Sequence, residues 1–197
     1  MNNMSKTKPI KAPRSIRECF VYDAHRYNPV PNSWFKKLYL FFLTQRYSMP
    51  VLMRLTELFY KKYRKRRNMF WKFLADLCKR RNEAVNHFEH GYYHFIAPGV
   101  LFHHTGVTIA HGTRIQDNVQ IFKNVTLAYV GKRSCKIGSG TVIFSHSIIL
   151  GKDIGSNCVV GAGSVVTKNI TNNSVIAGLP ASAIKQCKNA HDFLEYR

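Results

Sequence analysis

Nine histidines are the side chains of this 197-residue chain best suited to moving a proton near neutral pH, and composition alone singles out none of them. Two of them stand together in Phe102-His103-His104-Thr105-Gly106-Val107-Thr108-Ile109, where an otherwise regular six-residue spacing of aliphatic side chains slips. Such a slip marks residues that are something other than wall, and an imidazole there suits the role of general base. His146 falls at a corner of the repeat, where it could equally line a groove, and His111 is expected to face solvent. No serine, cysteine or lysine sits in an activated-nucleophile setting, so a covalent intermediate is not supported. Cys19, Cys78, Cys135, Cys158 and Cys187 are odd in number, scattered and without a CxxC pair. With no signal peptide ahead of them they read as reduced thiols of the cytoplasm and not as metal ligands.

The element that must position these histidines is a repeat running from Ile96 to Val166. Aliphatic anchors return every sixth residue as Ile109, Ile115, Ile121 and Leu127, then Ile137, Ile143 and Ile149, then Ile154, Val160 and Val166. A strand repeats every two residues and a helix every three or four, so a period of six fits a chain that turns a corner at that interval. One position past many anchors stands a small residue (Ala97, Ala110, Ala128, Gly138, Gly155, Gly161), as a tight corner would want. Four positions past the anchors the residues are small or β-branched, which suits a core wall. Three such faces close a triangular coil, and stacked coils bury a column that no single coil could bury alone. The longer interval from Leu127 to Ile137 predicts a loop thrown out of a corner over Ala128–Lys136, a natural place for a site. The shorter one from Ile149 to Ile154 predicts a pinched corner at Gly151-Lys152-Asp153.

Ile109-Ala110-His111-Gly112-Thr113-Arg114 and its neighbours resemble the hexapeptide-repeat acyltransferases. The stretch Val160–Ala181, with its Gly161-Ala162-Gly163-Ser164 corner, is similar to the terminal coil and exit of acetyl-CoA-dependent O-acetyltransferases of the serine-acetyltransferase-like branch. The resemblance covers about residues 95 to 185. It implies a mainly β fold with an α-helical N-terminal region: a left-handed parallel β-helix over 91–185, preceded by a basic, aromatic-rich helical region over 1–90 and followed by a tail over 186–197. It also implies acetyl-CoA as acyl donor, no metal, a homotrimer, and direct attack of an acceptor hydroxyl on the thioester with histidine as base. Aligned through Thr105-Gly106, the family's catalytic histidine falls on His103, with His104 one residue away as the alternative. Carried over by position, Ser145 and Ala162, with Gly163 and Ser164 close by, line the pantetheine. Gly131 and Lys132 match the family's pair beside the thioester, and Lys168 and Lys185 match contacts to the nucleotide phosphates.

The departures from that pattern bear on the acceptor. Serine acetyltransferases carry an Asp ahead of the catalytic histidine, where this chain has Phe102, and an Asp-Arg-His segment in the loop, where it has Tyr129-Val130-Gly131-Lys132-Arg133-Ser134-Cys135. The upstream Asp that orients the histidine is also missing, which leaves Glu89 or a backbone carbonyl for that role. The pattern is nearer to the branch's polysaccharide-biosynthesis members. The leading expectation is therefore acetyl transfer to a saccharide hydroxyl of capsule, exopolysaccharide or lipopolysaccharide type. Serine O-acetyltransferase is the alternative, and a non-catalytic hexapeptide scaffold holding a membrane or an anionic polymer is the third reading.

Charge is unevenly spread: before Gly91 there are 20 Lys and Arg against 6 acids, and from Gly91 onward 10 against 4. An anionic partner is the physical implication. It could be an anionic or lipid-linked saccharide acceptor, or the inner face of the membrane touched peripherally; nucleic acid is not favoured. The apolar run Trp34–Leu43 after Ser33 predicts a helix too short for the ~20 residues a bilayer span needs. A second helix, opened by Pro50, carries Leu52, Leu55, Leu58 and Phe59 and ends in the run Lys61–Arg67. A third runs from Met69 to about Phe88 with Phe70, Phe73, Leu74 and Leu77 on one face.

Overall fold

A computed structural model of the chain describes residues 45–194 together with the single positions Cys19, Asp23 and Ser33. The helix expected from Trp34 lies outside the described residues. Within residues 45–194 two antiparallel helices precede the coils, α1 (Gln45–Arg66) and α2 (Met69–Asn86). Pro50 does not open α1 but lies inside it, one turn past its start. α2 begins at Asn68, whose side chain accepts from the Phe70 N–H at 2.8 Å. It ends at His87, which takes the left-handed conformation at φ 48° while its N–H and that of Phe88 reach back to Glu83 and Asn82. A buried polar chain ties the pair together. Ser48 donates to Asn86 Oδ1, Asn86 to Asn82 Oδ1, and Asn82 to the Met49 carbonyl.

From Glu89 the chain winds into about five three-sided coils whose short strands stack in parallel. Sheet I is β1 (Glu89–His90), β4 (Thr108–Ile109), β7 (Thr126–Ala128), β10 (Ile148–Leu150) and β13 (Val165–Val166). Sheet II is β2 (Phe95–Ile96), β5 (Arg114–Ile115), β8 (Lys136–Ile137) and β11 (Asp153–Ile154). Sheet III is β3 (Leu101–Phe102), β6 (Gln120–Ile121), β9 (Val142–Ile143), β12 (Val159–Val160) and β14 (Ser174–Gly178), closed by the antiparallel β15 (Ala181–Gln186). Each predicted anchor pairs with an anchor of a neighbouring coil, for example Ile109 with Leu127, Leu127 with Ile149 and Ile149 with Val166. These columns are fully buried and form one core. Each anchor removed from water contributes roughly 1.5–3 kcal/mol.

The residues four past the anchors, from Val100 to Ser164, are buried as well. The small residues one past the anchors have a different cause from the one expected. The positive φ of the corners falls three past the anchor, at Asn118, Asn124, His146, Asn157 and Gly163 among others. The smallness one past the anchor answers to the stacking of coils: a Cβ on Gly138 would stand 2.4 Å from the Ser156 nitrogen, and one on Gly155 2.5 Å from that of Asn172. The predicted loop and pinched corner both form, the loop as a tight turn closed by mutual Val130–Arg133 backbone bonds and the corner with Gly151 at φ 57°.

The first coil opens at Glu89–His90, one wall before the Ile96 at which the repeat starts in the sequence, because its anchor is a histidine and not an aliphatic residue. Arg54 of α1 caps this end. Its guanidinium donates to the Ile96 and Ala97 carbonyls at 2.8 and 3.2 Å and pairs with Asp23 and Glu57. Burial opposes its charge, but the two carboxylates outweigh it and raise its pKa. Glu57 is held below the usual carboxylate range: burial pushes it up, and His94 and Arg54 more than offset that.

Candidate active site

The edge where sheet III turns into sheet I gathers most of the expected site. His103 and His104 lead out of β3, Ser145 and His146 out of β9, and Ala162 and Gly163 out of β12, so successive coils place them along one ridge. Coil spacing in a parallel ladder is about 4.8 Å, which sets Ser145 two steps and Ala162 three steps from the histidines. His104, His146, Ala162 and Gly163 are exposed and His103 is half-buried. Ser164 points inward, fully buried, with its hydroxyl donating to the Gly161 carbonyl at 2.6 Å.

The remaining expected residues stand elsewhere. Gly131 and Lys132 form the exposed tip of the loop on the other edge of sheet I, and Lys168 is exposed on that same edge two coils further on. Lys185 lies in β15 with its ammonium 5.0 Å from the centre of the Phe193 ring. Ile148, Tyr129 and Val130, on and beside sheet I between the two edges, are also left exposed. Within one chain the two groups of expected cofactor residues are thus separated by the width of a sheet.

The local geometry distinguishes the paired histidines. His103 continues outward from the anchor Phe102, its ring stacked on Phe122 at 4.2 Å and 14°, and its Nε2 lies 2.6 Å from Gln120 Oε1. An amide oxygen only accepts, so with Gln120 Oε1 facing the ring the contact calls for the His103 proton on Nε2, with Nδ1 as the basic nitrogen. His104 makes a looser ring contact with Phe122, at 6.4 Å. Phe102 itself points into the core, 1% exposed and packed edge-on against Phe88. A hydrogen bond that orients His103 goes to Gln120, while Glu89 stands exposed on sheet I.

Sequence reasoning missed Gln120 and its partner His191, whose Nδ1 lies 2.9 Å from Gln120 Nε2. A signal for Gln120 does exist. It occupies the outward position of sheet III that is Leu101, Val142, Val159 and Val175 in the other coils, and it is only 6% exposed. His191, 71 residues away in sequence, carries no such mark.

No family model matches the chain. In sequence it is similar to the serine acetyltransferase of Buchnera aphidicola subsp. Acyrthosiphon pisum, 38% identical over 99 residues that make up 47% of this chain and 36% of the relative. It is also similar to serine acetyltransferase 2 of Arabidopsis thaliana, 41% identical over 96 residues, 46% of this chain and 30% of the relative. The aligned stretch is thus well under half the length of either relative. Among solved structures, soybean serine acetyltransferase apoenzyme superposes with a TM-score of 0.70 at 28% identity, over 87% of this chain and 70% of that one. A serine acetyltransferase from Brucella abortus strain S19, in complex with coenzyme A, gives 0.69 at 25%, over 88% and 68%. The coils are those of the left-handed parallel β-helix, as the resemblance implied. The acceptor expected from sequence is corrected. The relatives matched in sequence and in structure are serine acetyltransferases, which overturns the saccharide reading and its placement among polysaccharide-biosynthesis enzymes in favour of the alternative.

Proposed function

We propose that this chain is an acetyl-CoA-dependent O-acetyltransferase of the serine acetyltransferase type, with His103 as its general base. The observation that carries the reading is the 2.6 Å bond from His103 Nε2 to Gln120 Oε1. It holds the imidazole at the family's catalytic position in a single tautomer, which is the third-group support a catalytic base needs. In the proposed reaction Nδ1 takes the hydroxyl proton as that oxygen attacks the acetyl carbonyl. The C–S bond then breaks, the thiolate leaves and recovers the proton, and the products are an O-acetyl ester and free CoA.

Acetyl-CoA fits the ridge of small residues at Ser145, Ala162 and Gly163, since a backbone without bulk lets the pantetheine arm lie close. Gly131, Lys132 and Lys168 sit on the other edge of sheet I, so a groove formed by both sets needs one edge from each of two copies, as in a homotrimer. The exposed Ile148, Tyr129 and Val130 would be covered in such an assembly. The two serine-reading acids of the family pattern are replaced by a buried Phe102 and by the loop, whose Lys132 and Arg133 are exposed cations of the charge that suits an acceptor carboxylate.

The test is thiol release from acetyl-CoA with serine, with a panel of sugars, and with no acceptor. Release that depends on serine is the expected result. Absence of serine-dependent release, or release equal to the blank, would refute the reading.

A second observation concerns where the chain works. Met69, Phe70, Phe73 and Leu77 line the outer face of α2 and are 54–64% exposed, beside the cations Lys61, Lys62, Arg64, Lys65, Arg66 and Arg67 at the hairpin tip. No helix among the described residues is long and apolar enough to cross a membrane. An apolar stripe bordered by cations suits a peripheral seat on an anionic membrane surface, and we propose that the hairpin takes one.

A further inference from the structure

The outer face of sheet III is covered by the chain's own C-terminal segment. After β15 it runs back over Val142, Val159 and Val175 and ends in a 3-10 turn, Ala190–Leu194, with Cys187 and Ala190 packed on those valines. Asn157 fastens it from a corner of the solenoid, accepting from the Ala190 N–H at 2.7 Å and donating to the Lys188 carbonyl at 3.1 Å. The turn sets His191 over Gln120, with His191 Nδ1 2.9 Å from Gln120 Nε2 and His191 Nε2 3.3 Å from Asn118 Nδ2.

A side-chain amide has one accepting end and one donating end, so its two neighbours must agree on its orientation. With the Gln120 N–H donated to His191 Nδ1, the Gln120 oxygen faces His103 and the His103 proton stays on Nε2. His191 then carries its own proton on Nε2, and the Asn118 amide, whose Nδ2 stands 3.3 Å from that nitrogen, must turn its oxygen toward it. Turning the Gln120 amide over would move the protons of both rings. With Gln120 Oε1 toward His103 and Nε2 toward His191, the bonds run in one sense: His103 donates to Gln120, Gln120 to His191, and His191 to a reversed Asn118 amide, whereas the opposite sense requires the Gln120 amide to be reversed instead.

We infer that His191 is a positioning residue that fixes the amide of Gln120 and, through it, which nitrogen of His103 is basic. This deepens the proposed function and rests on the catalytic role of His103. An asparagine at 191 can place its Oδ1 near the position of the histidine Nδ1 and accept the same N–H, whereas alanine cannot.

The experiment compares wild type, His191→Ala and His191→Asn. One readout is the ring-nitrogen spectrum of 15N-histidine-labelled protein at alkaline pH, with the His103 signals assigned by loss in His103→Gln. The other is kcat and KM for acetyl transfer. We expect a single Nε2–H tautomer of His103 in wild type and a mixture in His191→Ala. The kcat of His191→Ala should fall about three- to tenfold, within what a misplaced base costs, with KM for acetyl-CoA unchanged, and His191→Asn should restore both. An unchanged His103 tautomer in His191→Ala overturns the inference. So does a failure of His191→Asn to restore what alanine loses, since packing of the turn would then be the cause. If wild type transfers no acetyl group the catalytic reading falls, and the nitrogen spectrum still decides the positioning claim.

Discussion

At the scale of single residues the proposal stands on His103 and on the bareness of the ridge below it. Replacing His103 by alanine removes the base and leaves the cofactor ridge intact. We therefore expect kcat to drop on the order of 10²- to 10⁴-fold while affinity for acetyl-CoA, read by calorimetry, stays near wild type. A full loss in His104→Ala with none in His103→Ala would move the base one residue along. Ala162 is exposed on the ridge, so a tryptophan there costs the fold little and blocks any chain lying against the corner. Ala162→Trp should abolish CoA binding with the assembly intact, and unchanged affinity would place the cofactor elsewhere. His103 stood out in the sequence because the six-residue spacing slips beside it and the family resemblance aligns through Thr105-Gly106, and Ser145 and Ala162 came by position from that same resemblance. His191 was not, because its place over Gln120 depends on where a C-terminal segment lands after leaving that repeat.

At the scale of elements the six-residue period predicted the anchors and their buried columns, the loop and the pinched corner. What it could not show was a column started by a polar residue. His90 is the first anchor of sheet I, pairing with Ile109, and its Nδ1 meets the Gly91 carbonyl at 3.2 Å. Burial, helped by the neighbouring His94, holds its pKa down to about 3, against an ordinary value near 6.5. The unfolded chain therefore binds a proton between those pH values that the folded chain refuses. Stability from this group is complete above about pH 6.5 and falls by about 1.4 kcal/mol per unit as pH drops toward the folded value. His90→Ile keeps the column filled and removes that proton. The loss of unfolding free energy between about pH 7.5 and about pH 5 should thus be smaller by about 2 kcal/mol in the variant. The lost bond to Gly91 costs the same at both pH values and drops out of the comparison. Equal pH dependence in denaturant titrations of the two proteins would show that His90 is not buried neutral. Glu57 contributes acid sensitivity of the same sign in both proteins, because its pKa is also lowered on folding.

At the scale of the whole molecule, charge and apolar surface coincide at the tip of the helical hairpin. Each cation close to an anionic leaflet contributes roughly 1 kcal/mol, so the run from Lys61 to Arg67 and the stripe from Met69 to Leu77 together suffice for reversible attachment. The apolar run Trp34–Leu43 lies outside the described residues, so the proposed membrane seat is argued from the exposed stripe of α2. In sedimentation with anionic vesicles we expect binding that weakens steeply with added salt and is weak on neutral vesicles. Phe73→Asp should remove it. No sedimentation at low salt, or self-association through the same stripe seen by light scattering, would reject the membrane reading. At the opposite extreme from this concentrated surface is the loop of residues 128–136. It leaves the solenoid after Leu127 and rejoins it before Ile137, and both anchors keep their partners, Ile149 and Ile154, in the next coil. A corner of this kind can gain or lose residues without re-registering a single strand. Over evolutionary time, the chemistry offered to an acceptor can therefore diverge through insertion length alone, while the inherited columns beneath it stay the same.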